Sequence, residues 1–115
     1  MFVSSQKEQT VGITGRFYCG KDPFPNASVS LVNKNKIGMY DTLDTVKSTE
    51  NGTFEVKGTI NSVFGMDAKV NVAHDCDRQL PCQRTFFFFV PSKYVTRSGD
   101  VDRWFELGDL NLEVI

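Results

Sequence analysis

From Thr10 onward the chain runs in short stretches of alternating apolar and polar residues, broken by turn residues roughly every ten positions, the signature of a sandwich or barrel of strands. Residues 11–19 form the first such stretch, ended by Gly20, Lys21, Asp22 and Pro23. Residues 27–32 place Ala27, Val29 and Leu31 on one face. A third strand over 43–48 meets Glu50-Asn51-Gly52 and then 53–58, and an Asn-Gly pair between alternating runs is a strong hairpin signal. Residues 68–74 alternate cleanly, 84–90 are stopped by Pro91, and 103–107 with 110–114 read as a last pair joined across Gly108-Asp109. Sustained helical periodicity is lacking, with room for a single turn within 75–84. Residues 1–9 are polar and aperiodic and read as a flexible arm; residues 10–115 read as one all-β domain.

Composition narrows the picture. The 115 residues suit one domain, and at 40% apolar they suffice for a single core. A net charge of −1 gives no global field toward nucleic acid, so none is expected as a partner. The longest apolar run, Phe86 through Val90, is far too short to cross a bilayer. Met1-Phe2-Val3 followed by Ser4-Ser5-Gln6 lacks a signal peptide's apolar stretch, so the sequence reads as a mature or trimmed form.

Compartment is read from other features. Cys76 and Cys82 enclose Asp-Arg-Gln-Leu-Pro, spacing that favours a short disulfide loop. The alternatives are two reduced thiols, or half a zinc site for which only His74 and Cys19 could add ligands; neither metal nor cofactor is expected. Cys19 is then the odd cysteine, either a thiol for an intermolecular bond that would build a homo-oligomer or a small buried hydrophobe. The sequons at Asn26 (Asn-Ala-Ser) and Asn51 (Asn-Gly-Thr) add to the case for a secreted, extracellular glycoprotein.

At this point the motifs carry a resemblance. His74-Asp75-Cys76, Pro81-Cys82-Gln83-Arg84 and Val90-Pro91-Ser92-Lys93-Tyr94 resemble the signature of the nematode transthyretin-like family. So do Val11-Gly12-Ile13-Thr14-Gly15 and the stretch from Phe105-Glu106-Leu107-Gly108 through Asp109-Leu110-Asn111-Leu112, all in family order. The resemblance implies a transthyretin/prealbumin-like sandwich of two antiparallel four-stranded sheets, secretion, and binding rather than catalysis. One role described in that family is to bridge phosphatidylserine on apoptotic cells to a phagocyte's engulfment receptor. Members often carry a further cysteine near the C-terminus, which this sequence lacks. The related hydroxyisourate hydrolases need several active-site histidines, an arginine and a Tyr-Arg-Gly-Ser-type tail; this chain has one histidine, His74, and ends Leu-Glu-Val-Ile. No catalytic residue is therefore assigned, and His74 is read as a group shaping the cysteine loop.

Two surfaces are candidates for binding. Alternation sends Phe86, Phe88 and Val90 to the core and Phe87 and Phe89 outward, where family members carry polar residues, so these two rings are a candidate partner surface. If strands run up and down, the connections over 33–41, 59–67 and 91–100 share one end. That end offers Lys34, Lys36, Lys93 and Arg97 beside Ile37, Met39 and Phe64, with Tyr40, Met66 and Tyr94 close by, a pairing of cations and apolar tips suited to an anionic phospholipid surface. Asp41, Asp67 and Asp100 dilute its charge. The expected function is an extracellular adaptor joining such a surface to a cell-surface receptor; the alternative is a carrier of a small apolar ligand.

Overall fold

In β1 (Lys7–Cys19) the alternate residues Val11, Ile13 and Phe17 point to one side and are wholly buried, as the period of a strand requires. The computed structural model describes residues 7–62, 65–76 and 84–114. Seven further strands follow: β2 (Asp22–Pro23), β3 (Ser28–Lys34), β4 (Tyr40–Lys47), β5 (Thr53–Ser62), β6 (Ala68–His74), β7 (Arg84–Phe89) and β8 (Phe105–Asn111). They form two four-stranded sheets. In one, β1 pairs with β2, β5 and β8; the other has the order β4-β3-β6-β7. Between them Phe54 stacks on Phe17 with ring centroids 4.8 Å apart, among Val29, Leu31, Val56, Val70 and Val72.

The two-sheet sandwich is the architecture expected, with four local differences. First, β1 begins at Lys7, paired with Ser62 of β5, so residues 7–9 of the expected arm belong to the sheet. Gln9 is buried there and its Oε1 accepts the Met66 N–H at 3.1 Å, which is why a polar residue tolerates the position.

Second, the Asn51-Gly52 turn does not close a paired hairpin. It forms as a tight turn, with the Thr49 N–H donating to Thr53 O at 2.9 Å, but β4 pairs with β3 and β5 with β1. The turn carries the chain from one sheet to the other. Gly52 sits at φ 80°, against the Phe17 carbonyl, where a β-carbon would have no room.

Third, the expected last pair is a single strand. β8 runs through Gly108, and a register shift opposite Gly15 absorbs the turn-like residues as a bulge. β8 also lies parallel to β1, the one parallel strand pairing among the described residues. Fourth, the remaining strand is the short β2, which folds back on Tyr18 and Cys19.

Candidate functional site

The β3–β4 hairpin tip is organised by one side chain. Asn35 Oδ1 accepts the backbone N–H groups of Ile37 (3.1 Å) and Met39 (3.0 Å), while its Nδ2 donates to Asp41 Oδ2 at 3.2 Å. The brace holds Ile37 73% and Met39 63% exposed, just past Lys34 and Lys36, which are exposed too. Neighbouring segments meet the strands at this same end. The Lys34 N–H donates to Asp67 O, the Val90 N–H to Ala68 O, and Thr96 exchanges hydrogen bonds with Thr10. The three connections grouped from sequence are thus brought together by strand direction, with Lys93 and Arg97 exposed on the third. Phe64 lies outside the described residues.

At the opposite end a disulfide joins the sheets. Cys19, at the end of β1, is bonded to Cys76, just beyond β6, with α-carbons 5.7 Å apart. This corrects two readings. Cys76 is not bonded to Cys82, which lies outside the described residues, and Cys19 is neither an intermolecular thiol nor a zinc ligand. Face-to-face packing sets the ends of β1 and β6 opposite each other, and that proximity outweighs nearness in sequence. His74 is buried beside the bond; its Nδ1 accepts the Cys76 N–H at 3.2 Å, with the Phe24 and Phe86 rings edge-on to it. It fixes the backbone at Cys76, and the rest of the loop it was expected to shape lies outside the described residues. Asn26 and Asn51 are both exposed at this end.

The outer face of the β4-β3-β6-β7 sheet carries the second surface. Phe87 and Phe89 are 55% and 58% exposed, their rings in a T-shaped contact at 5.5 Å, while Phe86 and Phe88 pack against the core. Sequence reasoning missed what these rings touch. Lys69 of β6 holds its Nζ 4.1 Å from the Tyr40 ring centre and 4.6 Å from that of Phe87, a double cation–π contact. Below lies Val32, buried although it belongs to no part of the sandwich core, because it shares a cross-strand row with Lys69 and Phe89. Alternation in 68–74 places Lys69 opposite the core-facing Val70 and Val72; its aromatic partners follow only from strand order.

Beside these rings the same face dips into an open groove of about 640 Å³. Ser28, Ser30, Asn71, Ala73 and Thr85 line it together with Val72, Phe86 and Phe87, so that its surface is more apolar than polar. A second open groove, at the β8 side of the other sheet, is lined by Arg16, Lys47, Glu55, Glu106 and Asp109 among others. Both are open to solvent rather than enclosed.

Comparison with known proteins places this geometry. Residues 14–91 match the model of the Transthyretin-like family. Three relatives from Caenorhabditis elegans align over most of the chain. Transthyretin-like protein 33 is 32% identical over 92% of this chain and 76% of its own length. Transthyretin-like protein 5 is 30% identical over 90% and 76%, and Transthyretin-like protein 46 is 28% identical over 97% and 64%. Among solved structures, a 9R-lipoxygenase from Cyanothece PCC8801 aligns at a TM-score of 0.46 and 16% identity over 94% of this chain and 16% of that one, too loosely to carry a functional reading. Members of the matched family are typically secreted binding proteins. Sandwich, motif order and family match agree: this chain belongs to the transthyretin-like family.

Proposed function

We propose that the protein is an extracellular, non-catalytic adaptor. Its β3–β4 end engages an anionic phospholipid surface, and the outer face bearing Phe87 and Phe89 engages a cell-surface receptor. Such a molecule could bridge phosphatidylserine on a dying cell to a phagocyte. The observation carrying this reading is the braced hairpin tip, where Ile37 and Met39 stand exposed just after Lys34 and Lys36. Exposed apolar side chains that a side-chain brace holds in water gain most from entering an interface. Each nearby basic residue adds on the order of 1 kcal/mol at an anionic surface. Lys34, Lys36, Lys93 and Arg97 together would supply useful affinity, with Asp41, Asp67 and Asp100 subtracting from it. The disulfide and the two exposed sequons support an oxidising, extracytoplasmic setting.

Sedimentation with phosphatidylserine-containing and phosphatidylcholine-only liposomes tests the reading. Binding to the former should weaken with salt without vanishing, because apolar insertion is not screened. Lys34→Glu with Lys36→Glu should reduce it, and Ile37→Ser with Met39→Ser should remove the salt-resistant part. Lys21→Glu, at the disulfide end, should leave it unchanged. Equal binding to both liposomes, or equal losses at both ends, would refute the lipid assignment.

A further inference from the structure

We infer that the groove on the outer face of the β4-β3-β6-β7 sheet is a binding site for a neutral glycan, an inference that takes this face as the partner side of the adaptor and supplies the chemistry of what it meets. Cross-strand register builds the floor. Ser28 of β3 lies beside Ala73 of β6 and that beside Thr85 of β7; one step along, Ser30 lies beside Asn71 and that beside Phe87. Short side chains in these two rows, next to the bulky row of Val32, Lys69 and Phe89, make the depression.

Its lining selects the ligand. Ser28, Ser30, Asn71 and Thr85 offer hydroxyls and an amide, groups that both donate and accept, and no charged side chain is among the lining residues. A phosphate or carboxylate would find no compensating cation there. Of the nearby ammonium groups, that of Lys69 already sits between Tyr40 and Phe87, and Lys47, the β4 partner of Ser28, lines the second groove instead. A purely apolar ligand would strip water from Ser28, Asn71 and Thr85 without replacing their hydrogen bonds, while Ser30 keeps its bond to Thr45. A sugar ring satisfies both halves of the site, its hydroxyls matching the floor and its C–H face packing on Phe87. That ring is held on one side by Lys69 and on another by Phe89, so little order is lost on binding. The groove's volume of about 640 Å³ falls within the roughly 300–1,000 Å³ typical of small-ligand sites. Its open form suits a short stretch of a chain that continues past both ends.

The groove also begins next to Asn26, whose sequon ends in the groove-lining Ser28. The test therefore uses protein carrying Asn26→Gln, so that no glycan of its own competes. This protein, applied to a printed array of N-linked, O-linked and polysaccharide-derived glycans, should retain a neutral subset. Phe87→Ala should weaken that retention at least ten-fold, Ser30→Arg should abolish it by filling the floor, and Asn71→Ala should weaken it should Ser30→Arg fail to fold. Lys57→Glu, on the other sheet, should bind as the parent does. Amide shifts on titration with the best array glycan should centre on Ser28, Ser30, Asn71 and Thr85. Liposome binding measured in the same variants should be unchanged by Ser30→Arg, so a protein that holds glycans but no lipid keeps this inference and loses the membrane reading. No retention above Ser30→Arg, or retention of charged glycans only, would overturn it.

Discussion

The Cys19–Cys76 bond spans 57 residues of sequence, and removing so long a closed loop from the unfolded state is worth about 4 kcal/mol on the chain-entropy estimate. Cys19→Ser or Cys76→Ser should each lower unfolding free energy by an amount of that order, read from chemical denaturation. Peptide mapping without reduction should recover the 19–76 pair, and a 76–82 pair would contradict the fold. Phe87 and Phe89 behave differently. Replacing them with Thr and Lys should cost no more than about 1 kcal/mol, since exposed changes usually fall within about ±0.5 kcal/mol and one cation–π contact is lost as well. A loss of several kcal/mol would mean that the rings are part of a core. The direction of these two side chains was legible from sequence because a strand's period is local. The disulfide was not, because it depends on which strand ends meet across the sandwich.

Among the elements, strand positions from β3 to β7 could be read from alternation, whereas partners were harder to read. Asn51-Gly52 announces its turn correctly, yet the flanking strands find their partners in different sheets, because β4 pairs along β3 and β5 along β1. Turn chemistry is a property of four residues; pairing is decided by which faces must be buried together. Gly108-Asp109 likewise looks like a loop and is a bulge inside β8. The candidate site divides the same way: the exposed tip at Ile37 and Met39 is visible in the sequence, but the Lys69 clamp and the Ser/Asn/Thr floor exist only once β3, β6 and β7 lie side by side. Gly52 provides an element-scale check. With φ at 80° and the Phe17 carbonyl against it, Gly52→Ala should destabilise by more than the roughly 1 kcal/mol of left-handed strain alone. Asn51→Ala, exposed in the same turn, should cost much less, as thermal melts would show.

At the scale of the whole molecule the two ends are chemically separate, with the sequons and the disulfide at one and the lysine-bearing hairpin tip at the other. Removing both sequons with Asn26→Gln and Asn51→Gln should therefore leave phosphatidylserine-liposome binding intact, and a marked change would place a glycan near the lipid-facing end. The parallel pairing of β1 with β8 has a consequence of another kind. Ile13 pairs with Phe105, a contact between segments far apart in the chain and the sort that slows folding, so this docking is expected to come last. Trp104, the single tryptophan, lies over Gly12 just before β8, where a β-carbon would collide with its ring. Its fluorescence is thus an intrinsic clock for that final docking. In stopped-flow refolding it should change in the slowest phase, and that phase should be faster when the 19–76 bond has been kept closed.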